Sequence, residues 1–143
     1  MSDDAVLDGV GPAFSRLRRS SPASGKDLSR NLVLNVVAER TGEATVGAIA
    51  QELGIDQSVA SRMVSDCIHQ GCLRREASQQ DGRRTVLKLT PDGEALREHF
   101  AAEQRRAFED ITRGWAADER LRFARMLIQY AEDAAAMRKR ERL

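Results

Sequence analysis

Between Asp56 and Gly71 the apolar positions fall on one side of a helix. Val59, Ala60, Met63, Val64, Cys67 and Ile68 recur at spacings of three and four, while Gln57, Ser58, Ser61, Arg62, Ser65 and His69 fill the other side. Just upstream, Val46, Ile49, Ala50 and Leu53 predict a short helix that Thr45 caps and Gly54 stops. Earlier still, Val6, Val10, Ala13, Phe14 and Leu17 predict a helix ending near Arg19, with Gly11-Pro12 placed to kink or start it. Ser20 to Gly25 reads as a turn-rich connection. A further helix is expected from about Asp27, as N-cap, to Arg40, with Leu28, Leu32, Val36 and Val37 on one face and Thr41-Gly42 at its end.

After Gly71 the period changes. Cys72–Ala77 and Thr85–Leu89 read as two strands, joined by a tip from Ser78 to Arg84 that contains the turn-forming pair Asp81-Gly82. Thr90-Pro91 then opens a long helix striped by Leu96, Phe100, Ala107 and Ile111. Gly114 breaks the pattern. Asp118 starts a last helix with Leu121, Ala124, Leu127, Ile128, Ala131 and Ala135 as its stripe. No internal repeat is seen. The fold class is mainly α with one small β-hairpin (α+β).

Two helices joined by the turn Gly54-Ile55-Asp56 and followed by a hairpin form the plan of a winged helix-turn-helix. Ala50 offers a small side chain where the two helices cross, and Gly54 permits the tight turn. Ile49, Leu53, Ile55, Ala60 and Met63 close a shared core, which leaves the opposite face of the second helix for a groove. Gln57, Ser58, Ser61 and Arg62 on that face are hydrogen-bonding groups suited to base edges or phosphates. The expected parts of a single regulator-like domain are residues 1–43 as supporting helices, 44–90 as the winged lobe and 91–143 as C-terminal helices.

Composition changes this picture little. The chain has 143 residues, 41% hydrophobic and 31% charged, which is the profile of a soluble globular domain. Its net charge of +1 does not by itself announce a nucleic acid. From Asp56 to Thr90, however, six basic residues stand against four acidic ones, whereas 91–143 balances at eleven against eleven. Two cysteines are too few for a disulfide framework, no segment is apolar enough to cross a membrane, and the acidic N-terminus lacks a signal-peptide pattern. The expected location is a reducing cytosol.

With these residues in view, the sequence resembles the MarR-type regulators. The carrying segments are Leu53 to Val64, Gly71-Cys72-Leu73, Asp81-Gly82-Arg83 and Leu89-Thr90-Pro91-Asp92-Gly93, in family order and at family separations. The resemblance implies a transcription regulator, repression being the family-weighted expectation, that binds a palindromic double-stranded DNA operator as a homodimer. It implies that the N-terminal half of the helix bearing Arg62 lies in the major groove. Arg83 enters the minor groove from the wing, Asp81 holds it in place, and Thr45 touches a phosphate. It also implies that the N- and C-terminal helices interlock between two chains, and that a small anionic or phenolic ligand sits between them and the winged lobe; no motif marks its contacts. Two positions depart from the family pattern. Arg84 stands where a small residue is common and adds a phosphate contact, and Ser58 stands where proline is frequent.

Other chemistry finds less support. Cys67 lies on the apolar stripe and reads as a buried thiol; Cys72, at the start of a strand, is open. Cys67, His69 and Cys72 do not form a zinc pattern and lack a fourth ligand, so neither metal nor cofactor is expected. Trp115 and Tyr130 read as packing residues. Arg16, Arg18, Arg19 and His99 read as surface groups, and the basic run 138–142 as a helix end that suits the helix dipole. No phosphate loop and no nucleophile beside a histidine base are found, so an enzyme is not expected. The competing class is a winged-helix module for protein–protein contact without sequence-specific DNA binding.

Overall fold

The computed structural model describes residues 1–19 and 25–142. In order these form α1 (Asp3–Asp8), α2 (Val10–Arg19), α3 (Gly25–Glu39), α4 (Val46–Leu53), α5 (Gln57–His69), β1 (Leu73–Ala77), β2 (Thr85–Leu89), α6 (Pro91–Ile111) and α7 (Ala117–Glu141). The connection expected over 20–24 lies outside the described residues. Two compact units are present, Met1–Glu98 and His99–Leu143.

In the first unit, α3, α4 and α5 pack on one another and on an antiparallel hairpin whose register pairs Leu73 with Leu89 and Ala77 with Thr85. The core is drawn from all of them: Val33 and Leu34, Ile49 and Ala50, Ala60, Val64 and Cys67, then Leu73, Val86 and Leu87. Truncating a fully buried leucine such as Leu34 typically costs about 2–5 kcal/mol. Gly54 takes the left-handed conformation, with φ 65°, that ends α4 and turns the chain into α5. Thr45 caps α4 by accepting the Ala48 amide at 3.1 Å.

A seam joins the start of the hairpin to its end. The Thr90 hydroxyl donates to the Gly71 carbonyl at 2.6 Å and accepts the Gly93 amide at 3.0 Å, and the Thr90 amide donates to Cys72 O at 3.2 Å. Gly93 lies so close to this seam that an added Cβ would stand 2.1 Å from the Cys72 carbonyl oxygen. The Thr-x-x-Gly spacing is therefore a packing requirement: threonine caps the helix, and glycine lets its first turn rest on the chain at Cys72.

A second tie crosses from α3 to α5. Arg30 Nε donates to Asp66 Oδ2 at 2.8 Å, and Nη2 approaches Oδ1 at 3.4 Å. The hydrogen bond from Arg30 holds the Asp66 carboxyl below the usual carboxylate range and raises the guanidinium in turn. On the opposite flank Arg97 of α6 reaches back to α3, with Nε on Asn35 Oδ1 at 2.9 Å and Nη2 3.6 Å from Glu39.

In the second unit the ring of Phe123 stacks on Phe108 and takes the edge of Trp115, at centroid distances of 6.2 and 5.4 Å. Arg120 Nη2 donates to the Thr112 carbonyl at 3.0 Å. Trp115 thus packs an edge against Phe123 while staying 42% exposed, and Tyr130 is 55% exposed.

Several expectations are corrected. The first helix is broken at Gly9, because Pro12 has no N–H for the Asp8 carbonyl and its ring crowds that position. Asp27 lies in the first turn of α3, which starts at Gly25. The buried side of α3 carries Asn31, Val33 and Leu34; Leu28 and Leu32 face outward at 42% and 41% exposure. Cys72 is outside β1, because its amide is used by the Cys67 carbonyl at 2.8 Å in closing off α5. The tip does not use a left-handed glycine at Gly82. Instead Arg84 donates to Asp81 O at 2.9 Å, and the Asp81 side chain completes the turn. Finally, α7 starts at Ala117, with Asp118 in its first turn.

Two outcomes are expected. Gly93→Ala should destabilise the chain by about 1–3 kcal/mol or more, because backbone has to move for the methyl group; urea unfolding within about 0.5 kcal/mol of wild type would refute the close approach. Asp66→Asn should cost no more than about 1 kcal/mol at pH 7, since the pair is partly solvated. The Asp66 pKa is depressed by folding, so the stabilisation is present above the ordinary aspartate value and disappears as pH falls through the lowered one. Paired unfolding curves should therefore differ at neutral pH and converge as pH falls below the lowered value.

Candidate nucleic-acid interface

Helix α5 is buried along one side only. Ala60, Val64 and Cys67 are at 0%, 1% and 0% exposure, against Gln57, Ser58, Ser61, Arg62 and Ser65, which are all exposed. The burial comes from α3, α4 and β1, which pack against α5 and leave its polar side open. Asp56 has the extended conformation of an N-cap, but its carboxylate makes no capping bond. The result is a row of hydrogen-bonding side chains on a rigidly seated helix.

The hairpin tip is the second part. Arg83 and Arg84 are exposed there. The Asp81 carboxylate accepts the Arg83 backbone amide at 3.1 Å, so it fixes the residue through its main chain and leaves the guanidinium free. Ser78 N donates to Arg84 O at 2.9 Å and closes the loop. Elsewhere, Arg30, Arg40, Arg74, Arg97, Arg105 and Arg113 are each paired with a carboxylate. The side chains of Arg62, Arg83 and Arg84 have no such partner among the described residues.

Thr45 lies beside the same hairpin. Its neighbour Ala44 accepts the Leu87 amide at 2.8 Å, which adds the chain before α4 to the free edge of β2. One step further back is Glu43, which sequence reasoning missed. Its carboxylate holds Ser78 and Gln79 in the tip. Nothing local in the sequence marks this contact, since 35 positions separate Glu43 from Ser78.

Both cysteines are buried. Burial pushes the Cys67 thiol up to about 12 and raises Cys72 as well, which disfavours the reactive thiolate at either position. Among the described residues no group of three or more His, Cys, Asp or Glu side chains is arranged to hold a metal, and no helix is long and apolar enough to cross a membrane.

Comparison with solved structures places this arrangement. The chain is similar to MarR, at 20% identity and TM-score 0.67 over 98% of each chain. It is similar to the YusO protein from Bacillus subtilis, at 18% identity and TM-score 0.66, covering 92% of this chain and 99% of that one. It is also similar to the PcaV transcriptional regulator from Streptomyces coelicolor, at 21% identity and TM-score 0.57 over 95% and 99%. PcaV in complex with its natural ligand matches at 22% identity and TM-score 0.53 over 94% of each chain. No curated protein matches the sequence. The sequence model described as the MarR family matches residues 29–84, the stretch from α3 through the second arginine of the hairpin tip. Residues 29–84 match the MarR family, and over nearly its whole length the chain carries the fold of the solved MarR structure.

Proposed function

We propose that this protein is a transcription regulator of the bacterial cytosol that binds a specific, roughly palindromic DNA duplex as a homodimer. The observation that carries the reading is the pair of unpartnered basic elements on one rigid lobe: Arg62 on the bare side of α5, and Arg83 with Arg84 on a hairpin tip fixed from within. In this reading Gln57, Ser58, Ser61 and Arg62 meet base edges in the major groove, and Arg83 occupies the minor groove, where a narrow groove concentrates negative potential. Arg84 and the Thr45 hydroxyl contact phosphates. The role is binding rather than catalysis, and the family resemblance weights it to repression.

The homodimer is supported by what the single chain leaves uncovered. Helices α1 and α7 bury no side chain, and neither does α2. Leu7, Leu17, Ile111, Leu121, Met126 and Ile128 are all more than half exposed. A second copy covers such faces and presents a second recognition helix, as a symmetric operator requires. In this division residues 1–43 serve assembly and support the lobe, 91–143 serve assembly, and 44–90 reads DNA. Release by a small anionic or phenolic ligand is part of the proposal; PcaV, similar in fold, is known with its natural ligand bound.

Selecting duplexes from a random-sequence library tests the reading, and recovery of no preferred sequence would overturn it. On the selected duplex, Arg62→Ala should cost about 1–3 kcal/mol and relax one position per half-site. Arg83→Ala should weaken binding more than Arg138→Ala does, and the reverse ranking would displace the wing from the interface. In analytical ultracentrifugation the full-length chain should sediment at twice its chain mass at micromolar concentration; a monomer there would refute the assembly.

A further inference from the structure

We propose that Glu43 is a positioning residue for the wing tip, an inference that rests on the reading of Arg83 as a DNA contact. Glu43 lies on the connection between α3 and α4, outside the hairpin. Its carboxylate oxygens stand 2.6 and 2.8 Å from the Ser78 hydroxyl, whose single hydrogen is directed at the carboxylate, and Oε2 also accepts the Gln79 amide at 3.2 Å. The Ser78 oxygen in turn accepts the amides of Gln80 and Asp81 at 3.1 and 3.0 Å. Asp81 then takes the Arg83 amide. Of three consecutive loop amides, that of Gln79 thus hangs from Glu43 directly, and those of Gln80 and Asp81, with the turn that presents Arg83, hang from a hydroxyl that Glu43 holds.

The anchor is well founded at both ends. Ser78 is 5% exposed, and its hydroxyl is used once as donor and twice as acceptor. Glu43 is fixed by its own main chain, whose carbonyl accepts Arg40 Nε at 2.9 Å, while Arg40 also pairs with Glu52 of α4. Ordering a long cationic side chain in a narrow groove costs less entropy when its backbone is already set. Glu43 supplies that setting, because the bonds within the tip fix its shape and Glu43 fixes its attitude to the lobe. Its negative charge is directed at amides of the loop, so it holds the tip without pairing with Arg83 or Arg84.

The test uses the full-length chain carrying Glu43→Ala, Ser78→Ala or Ser78→Thr, the last of which keeps the hydroxyl. In hydrogen exchange the amides of Gln79, Gln80 and Asp81 should exchange faster in both alanine variants, with the core amides of α3 unchanged. On the duplex selected by the wild type, Glu43→Ala should bind roughly tenfold more weakly, as for loss of a hydrogen bond to a charged group. Its salt slope should fall by about one for each phosphate that the wing no longer neutralises. Adding Glu43→Ala to Arg83→Ala should weaken binding little further, because the two act through one interaction. Ser78→Thr should bind as wild type. Unchanged exchange at the three amides would overturn the anchor. Faster exchange with unchanged affinity, where Arg83→Ala does bind more weakly, would overturn its positioning role. If Arg83→Ala also binds like wild type, the wing reading itself fails and takes this inference with it.

Discussion

The carbonyls of Gly71 and Cys72 are the points on which the winged lobe is assembled. One receives the Thr90 hydroxyl and the other the Thr90 amide, and the second sits where any side chain at position 93 would have to go. This seam brings the two ends of the hairpin together at the end of α5 and at the start of α6. The hairpin projects from a closed base as a result, and β1 can pack on α5 while β2 packs on α3. Without the seam a two-stranded hairpin has little stability of its own.

The features legible in the sequence were those whose cause is local. The two-sided pattern of α5, the Thr45 cap and the glycine after α4 follow from spacing and backbone chemistry, and the structure has them where they were expected. The break at Gly9 was harder to place, because a proline acts on the carbonyl four residues before it and the visible Gly11-Pro12 pair draws the eye too late. The buried side of α3 was misjudged for a different reason. Leucines at 28 and 32 form as good a stripe as Val33 and Leu34, and periodicity alone cannot say which stripe the lobe uses. The exposed polar side of α5 and the arginines of the tip were legible from type and pattern, but the groups that hold those elements in place were not. Glu43 reaches Ser78, and Arg30 reaches Asp66, across 35 and 36 positions, and no motif spans such distances.

Local rules and tertiary needs also agree less at the ends of the chain than in its middle. The winged lobe satisfies its own core and is capped within itself by Thr45 and Thr90. Helices α1 and α2 have good caps or apolar faces but no buried residue, and a helix of 6 or 10 residues is marginal in water on propensity alone. In the proposed homodimer the second copy supplies the cover that orders them.

That dependence has a consequence for turnover. Proteases cut chains where backbone opens, and opening is easiest where few side chains are buried. In the proposed homodimer a paired copy covers α1, α2 and α7, while an unpaired copy offers them for cleavage even with the winged lobe intact. The lifetime of the protein then rises with its own abundance by mass action. Dilution would remove it by trimming its ends, well before its central lobe unfolds.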